Sequence, residues 1–188
     1  MDFQLIARDL LSKIFHKYAP VVYENHLPNF IKVINKDTIR KVYAAYSIEG
    51  DFIEMVCCYL IENPHPLIVP IYKFEGNFED NWCHYSYDMK LLTPISEEEA
   101  CIVNNARNDT NNFGISALSR FTNRRLVTFL QKVLVDGIYW DLHGGNVMKD
   151  QDGNYLLIDL EGLNPASRFA DSVRDWAKSR NVQGNLNG

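Results

Sequence analysis

The sequence has 188 residues, of which 46% are hydrophobic and 23% charged, a composition typical of a globular protein with its own core. With 19 Lys and Arg against 24 Asp and Glu, the formal net charge is -5, which disfavours a protein whose main task is to grip nucleic-acid phosphates. The four cysteines include no C-x-x-C pair, which argues against a zinc site or a disulfide framework. Charged residues interrupt the apolar pattern of residues 1–18, so we expect a cytoplasmic protein without a membrane-spanning segment.

The first half of the chain alternates between stretches with strand periodicity and stretches with helical spacing. Prolines at 20, 64 and 66 end the helical stretches. In chain order we expect a helix over 3–18, a hairpin of strands at 21–23 and 30–34, a helix over 38–62, and two strands over 67–76 and 84–92. These elements predict a small antiparallel sheet with a helix beside it.

The second half is more helical. Ser96 is followed three residues later by Glu99, a capping box that predicts the start of a helix. We then expect an exposed Asn-rich loop over 104–112, a long helix over 116–136, a strand within 153–162 and a short helix over 172–178. The chain as a whole is therefore predicted to be an α+β protein.

Polar residues with a distinctive spacing surround the strand expected within 153–162. Asp141 and Asn146 are five positions apart, and Asp159 follows Asn146 by thirteen, at the end of an apolar run. An unpaired carboxylate there is costly, so we favour a functional role for Asp159 over a solvated turn. These residue types suit phosphoryl transfer, because Asp141 can orient and deprotonate a hydroxyl. Asn146 and Asp159 can offer the hard oxygen ligands that magnesium prefers.

Two neighbouring residues extend this candidate site. Glu161 lies two residues beyond Asp159, so on an extended segment both carboxylates point to one face and Glu161 can help to hold a second ion. His143 lies two residues after Asp141, where it can reach a transferring phosphate.

A lysine in an apolar strand is the candidate phosphate-binding cation. Lys32 lies within Phe-Ile-Lys-Val, where a purely structural lysine would have to extend out of the core. In a kinase layout this lysine holds the ATP phosphates and is oriented by a helix glutamate. Glu54 and Glu49 are both candidates for that partner, and we prefer Glu54 because Gly50 interrupts the helix before it.

These residues together resemble the protein-kinase-like superfamily over nearly the whole chain. More narrowly, YENHLPNFIKV at 23–33 and DLHGGNVM at 141–148 are similar to the early serine/threonine protein kinases of short-tailed lytic phages. The resemblance implies a compact two-lobed kinase-like fold, with an N-terminal lobe at 1–92 and a reduced helical lobe at 93–188. It also implies ATP and Mg²⁺ as cofactors, and Ser or Thr residues of host proteins as substrates in the host-cell cytoplasm.

The resemblance carries over to individual residues. It implies Lys32 as the phosphate-binding lysine with Glu54 as its partner, Asp141 as the catalytic base, Asn146 and Asp159 as metal ligands, and an adenine-binding hinge at Met89 to Leu92.

Three departures from the family pattern keep two alternatives open. Residues 18–23 hold no glycine where the phosphate loop is expected, Tyr139 and Trp140 replace the usual His-Arg, and only 29 residues follow Asp159. His143 stands where protein kinases usually carry lysine and is shared with enzymes similar to aminoglycoside phosphotransferases. The alternatives are a small-molecule phosphotransferase and a non-catalytic protein that binds and inhibits a host factor.

Two other groups of residues have competing interpretations. Arg120, Arg124 and Arg125 form a basic patch, which we interpret as a solvated helix surface, with docking of an acidic or phosphorylated partner as the alternative. Trp82, Tyr85 and Tyr87 form an aromatic cluster that we expect to pack within a strand rather than to stack on bases.

Overall fold

The computed structural model describes residues 30–79 and 82–180 and confirms the α+β class. Its helices and strands are, in chain order, β1 (Phe30–Asn35), β2 (Thr38–Tyr46), α1 (Ser47–Glu62), β3 (Ile71–Glu79), β4 (Trp82–Lys90), β5 (Thr93–Pro94), α2 (Glu97–Phe113), α3 (Arg124–Val135), β6 (Val147–Lys149), β7 (Tyr155–Leu157) and α4 (Arg168–Ser179). Short 3-10 helices occur at Ile115–Arg120, Gly144–Asn146 and Leu160–Gly162. No helix within the described ranges is long and apolar enough to cross a membrane.

The larger sheet has four antiparallel strands in the order β1-β2-β4-β3. Side chains at directly paired positions point to the same face, and successive residues alternate between faces. Lys41 pairs with Tyr87, whereas Arg40 pairs with Lys32 on one side and Asp88 on the other. Lys41 and Lys32 therefore lie on opposite faces of this sheet.

Helix α1 packs against the face that carries Lys41. Its buried residues recur at helical spacing, at Ile53, Val56, Cys57 and Leu60, and each is at most 3% exposed. They join Tyr85, Tyr87 and Met89 of β4 in one hydrophobic cluster. Burial of these side chains stabilises the sheet and closes this face except around Lys41.

A smaller sheet, in the order β5-β6-β7, is joined to the segment that precedes β3. The backbone N–H of Val69 donates to the carbonyl of Leu157 at 2.9 Å, and the N–H of Leu157 donates to the carbonyl of Leu67 at 2.8 Å. These bonds fix the end of β7 beside the larger sheet. Asp159, two residues later, consequently reaches the face that carries Lys41.

The predicted helix over 38–62 is wrong in its first part, because residues 38–46 form β2. This strand has partners on both edges, and its alternate residues Ile39, Lys41 and Tyr43 share one face. Two hydrogen-bonded ladders outweigh the weak helical spacing that the segment also shows. The hairpin partner expected at 21–23 and the helix expected over 3–18 lie outside the described residues.

The second half differs from the prediction at two helices. The capping box at Ser96 and Glu99 is confirmed, but α2 continues through the Asn-rich segment because Val103 and Ala106 are fully buried. The helix predicted over 116–136 is instead a 3-10 helix followed by α3, whose N-terminus is capped by Asn123 through its bond from the Leu126 N–H. The short helix expected at 172–178 is present as α4, which is longer than predicted and covers Arg168–Ser179.

Candidate active site

The centre of the candidate site is a buried ion cluster formed by Lys41, Asp159 and Glu161. The Lys41 ammonium donates a short hydrogen bond to Asp159 Oδ1 and a second bond, of 2.6 Å, to Glu161 Oε2. The Lys41 side chain is only 15% exposed. It comes from the four-stranded sheet and the carboxylates come from the loop after β7, so the cluster ties two distant parts of the chain together.

Two tyrosines complete the surroundings of Glu161. Tyr85 Oη donates to Glu161 Oε1 at 2.8 Å, and Tyr87 Oη donates to Oε2 at 3.4 Å. Both tyrosines are buried in the sheet, as the strand-packing interpretation predicted. Glu161 thus accepts bonds from the ammonium group and two hydroxyls, which anchors Lys41 and leaves Glu161 poorly suited to the metal-binding role that we expected.

The pKa values of the cluster reflect one cation shared by two carboxylates. Burial lowers the pKa of Lys41, but Glu161 and Asp159 outweigh it, so that pKa lies above its ordinary value. Burial raises the pKa of Asp159, but Lys41 outweighs it and brings the pKa below the ordinary value. Burial and Asp159 raise the pKa of Glu161 to about 7, against the opposing effect of Lys41. Asp159 is therefore the ionised partner near neutral pH, whereas Glu161 can hold a proton.

The predicted catalytic loop lies against the segment that leads to Asp159. The Ile158 N–H donates to the Asn146 carbonyl at 3.1 Å, and the Tyr139 hydroxyl donates to the Asp159 carbonyl at 2.8 Å. Gly162 is required here, because a Cβ at that position would lie 2.3 Å from the Tyr139 ring. The carboxylate of Asp141 is near enough to raise the pKa of Asp159. The structure thus brings Asp141, Asn146 and Asp159 together, as their spacing predicted.

Within this loop, Asn146 and His143 both face Asp141. Asn146 Nδ2 lies 3.3 Å from Asp141 Oδ2 and also donates to the Asp141 carbonyl at 3.1 Å. His143 Nδ1 accepts a bond from the Gly145 N–H, so the neutral ring carries its hydrogen on Nε2. That nitrogen is 3.6 Å from Asp141 Oδ2. Both side chains therefore orient Asp141, which is itself 60% exposed and open to a substrate.

The structure corrects the choice of lysine. Lys32 is exposed and lies on the far face of the sheet, where it lines a cavity of about 430 Å³ with Arg40, Glu75 and His84. Lys41 occupies the position against Asp159 that we had expected Lys32 to occupy. The alternation of Ile39, Lys41 and Tyr43 is the sequence pattern that could have identified Lys41 as a strand residue on the buried face. The prediction of a helix over 38–62 left that pattern unused.

The expected glutamate partner is also displaced. Glu54 is half-buried on α1, where burial and Asp51 raise its pKa, and no hydrogen bond or ion pair within the described residues joins it to either lysine. The side chain of Glu49 is outside the described part. Cys57, one turn after Glu54 on α1, lies close to the ion cluster. Burial raises the pKa of its thiol, Glu161 raises it further, and Lys41 lowers it. The anchoring role predicted for Glu54 thus falls to Glu161.

The expected hinge residues lie on the buried side of the sheet. Met89 and Leu92 are 2% and 4% exposed, and Met89 pairs with Ile39, two residues from Lys41 on the same face. Between them, the N–H of Leu91 donates to the carbonyl of Asp37 at 2.8 Å. Their contact with an adenine ring stays a prediction.

The donor set around Asp159 suits a magnesium ion with few protein ligands. No group of three or more His, Cys, Asp or Glu side chains in 30–79 and 82–180 is arranged to hold a metal by itself. Mg²⁺ typically binds one or two carboxylates together with substrate phosphates and water. Because Asn146 Nδ2 donates to Asp141, its Oδ1 is the atom left to act as a ligand beside Asp159. When Glu161 is ionised, two carboxylates share the one ammonium group, and a divalent cation would offset the remaining negative charge.

A comparison of the sequence with models of known protein families found no match, and neither did a comparison with curated proteins. The functional assignment therefore depends on the geometry of the site.

Proposed function

We propose that the protein is an ATP- and magnesium-dependent phosphotransferase with a two-lobed kinase-like fold, which transfers the γ-phosphate to Ser or Thr hydroxyls of proteins. One observation carries the proposal. A lysine from an antiparallel sheet is paired with Asp159, whose segment is hydrogen-bonded to a loop that holds Asp141 and Asn146. This arrangement supplies a phosphate-binding cation, hard oxygen ligands and an exposed carboxylate at one place.

Each residue then has a defined task. Lys41 would donate to phosphate oxygens, while Glu161 and its tyrosine partners hold the ammonium group in position. Asn146 and Asp159 would hold magnesium, which when bound neutralises charge on the phosphates. Asp141, oriented by Asn146 and His143, would position the attacking hydroxyl and accept its proton. Host proteins are the substrates that we propose, in keeping with the sequence resemblance.

The test measures transfer of labelled phosphate from ATP to proteins of a cell lysate in the presence of magnesium. We expect Asp141→Asn and Asp159→Asn to lower incorporation by about a hundredfold or more, because they remove the proton acceptor and a metal ligand. Asp175→Asn is the control, since Asp175 is 75% exposed on α4 and, of the residues that the structure describes, pairs with Lys178 alone. Equal incorporation by wild type and both site variants would overturn the proposal.

A small-molecule phosphotransferase is the second candidate. The observation that favours it is His143, whose Nε2 faces Asp141 at 3.6 Å in place of the lysine usual in protein kinases. The same assay separates the two functions. The protein kinase predicts labelled protein bands, whereas the small-molecule enzyme predicts label on an added aminoglycoside or similar hydroxylated compound and none on protein.

A further inference from the structure

A basic groove lies between α3 and the turn that joins β6 to β7. Its volume is about 390 Å³, and its cationic lining residues are Arg124, Arg125 and Lys132. Its apolar lining residues are Pro66, Leu67, Phe129 and Tyr155, and no Asp or Glu of the described residues belongs to the lining. The formal net charge of the whole chain is -5, so positive charge is concentrated here against the overall sign.

Arg125 is held in this groove by backbone rather than by a carboxylate. Its Nη1 donates to the Asp152 carbonyl at 3.0 Å, and a Cβ on Gly153 would lie 3.1 Å from the same nitrogen. Gly153 has a φ of +77°, which favours glycine, and the Asp150 carboxylate accepts the N–H groups of Asp152 and Asn154. The turn is therefore ordered by its own bonds, and Arg125 lines the groove without an ion pair to any carboxylate of the described residues.

Arg124 and Lys132 mark the two ends of the groove. They are exposed, and neither forms an ion pair within the part of the chain that the structure describes. With Thr128 they follow i, i+4, i+8 spacing on α3, so the two charges are about 12 Å apart along the helix axis. The nearest buried carboxylate, Glu99 behind Tyr155, is neutralised by Lys149 at 2.9 Å.

We propose that this groove binds an extended acidic segment of a partner protein. A peptide strand rises about 3.3 Å per residue, so the four rises from residue i to residue i+4 span the distance between Arg124 and Lys132 along the helix, and residues i, i+2 and i+4 share one face. Acidic residues at the ends would meet Arg124 and Lys132, and an apolar residue between them would contact the Phe129 and Tyr155 floor. A single small anion would leave one of these charges unmatched.

The groove is separate from the candidate active site. Asn146 and Asp159 lie just outside one end of the β6–β7 hairpin, whereas Gly153 and Asn154 form the turn at its other end. Three-residue strands separate these ends by roughly 10 Å. A partner can therefore occupy the groove without covering Asp141, and the inference does not depend on the proposed phosphotransferase activity.

The test is direct binding of a fluorescein-labelled peptide built on Glu-Ser-Phe-Ser-Glu, measured by fluorescence anisotropy without nucleotide. On an extended strand this peptide presents both Glu residues and the Phe between them to the same face. We expect wild type to bind it with an affinity that falls as salt is raised. The double variant R124E/K132E should bind about tenfold more weakly or worse, since two facing charge pairs become repulsive. K36E/R168E, which changes the net charge equally at exposed positions elsewhere, should bind like wild type.

Three results would overturn the proposal. If R124E/K132E and K36E/R168E bind the peptide with equal affinity, the peptide binds outside the groove. If wild type binds a peptide with Gln in place of every Glu equally well, the negative charge of the peptide does not contribute to binding. Equal affinity for a short oligothymidylate of the same charge would make the groove a general polyanion site rather than a peptide site. Thermal unfolding of both variants checks that they fold, and D141N, which lies outside the groove, should bind the peptide like wild type.

Discussion

Glu99 and Glu161 are both poorly exposed carboxylates that bind a lysine and a tyrosine hydroxyl, yet their pKa values move in opposite directions. Burial raises the pKa of Glu99, but bonds from Tyr155, the Ser96 N–H and Lys149 outweigh it and lower the pKa to about 2. Burial also raises the pKa of Glu161, but there Asp159 competes for the same lysine, so that pKa rises to about 7.

The difference separates a cluster that holds helices and strands together from the cluster at the proposed active site. At Glu99 every neighbouring group favours the ionised form, and the cluster holds the start of α2 against Asn123 and β7. At Asp159 one ammonium group is shared between two carboxylates, so negative charge exceeds positive charge whenever Glu161 is ionised. Unsatisfied charge of this kind is typical of sites that bind a charged ligand.

The largest expected effect comes from Lys41→Met. Among the described residues, Lys41 is the one ammonium group that pairs with Asp159 and Glu161, and its removal should lower the free energy of unfolding by about 3 kcal/mol at pH 7. Urea denaturation measures the loss, and Lys32→Met, on the exposed face, is the control expected to stay within about 0.5 kcal/mol of wild type. Adding Glu161→Gln to Lys41→Met should recover part of the lost stability, because it removes one of the two carboxylates left without a cation. If no stability is recovered, the two carboxylates do not share the charge of Lys41.

Glu99→Gln tests the cluster around Glu99. The pKa of Glu99 is depressed in the folded state, so its stabilisation is present above its ordinary pKa of 4.5 and is lost as the pH falls toward 2. The variant should lose about 2 kcal/mol at pH 7 and nothing near pH 2. Chemical denaturation across this range measures the difference. Glu98→Gln, in the same helical turn but exposed, should show no such pH dependence, and a pH-independent loss in Glu99→Gln would refute the account.

Glu161→Gln should show the opposite pH dependence with a smaller effect. A folded-state pKa of about 7 means that wild-type stability falls as the pH rises from 4.5 through 7, because the folded protein retains a proton that the unfolded chain has lost. The variant lacks this decline, so its stability relative to wild type should rise by about 1 kcal/mol between pH 6 and pH 7. An unchanged difference over this range would show that Glu161 is ionised throughout.

The sequence predicted the α+β class. It also predicted that Asp141, Asn146 and Asp159 lie close together, because a single short hairpin connects Asn146 to Asp159. A loop, two three-residue strands and a turn leave little freedom in where these side chains meet. The capping box at Ser96 was predicted for the same reason, since it depends on contacts within four residues.

The lysine could not be chosen correctly from local pattern. Lys32 and Lys41 both lie in apolar strands, and which face reaches Asp159 depends on the register of β2 with β1 and β4. Register is set by long-range pairing, and a shift of one residue exchanges the faces. The role of Glu161 as the lysine anchor likewise depends on Tyr85 and Tyr87, which are distant in sequence.

The Asn-rich segment shows how tertiary burial overrides composition. The polar composition of residues 104–112 predicts a loop, yet Val103 and Ala106 of α2 pack in the core. In addition, Asn104 Oδ1 accepts a hydrogen bond from the Gly144 N–H at 2.7 Å. The helix is therefore stabilised by its contact with the loop that holds Gly144, and helix propensity, which depends on local sequence alone, does not reveal such a contact.

The central claim is that Lys41, rather than Lys32, is the phosphate-binding lysine beside Asp159. Titration of magnesium–ATP into folded Lys41→Met and Lys32→Met, followed by calorimetry, tests it most directly. We predict that Lys32→Met binds like wild type, whereas Lys41→Met binds at least about tenfold more weakly. Undiminished binding by Lys41→Met, with binding lost in Lys32→Met, would contradict the claim.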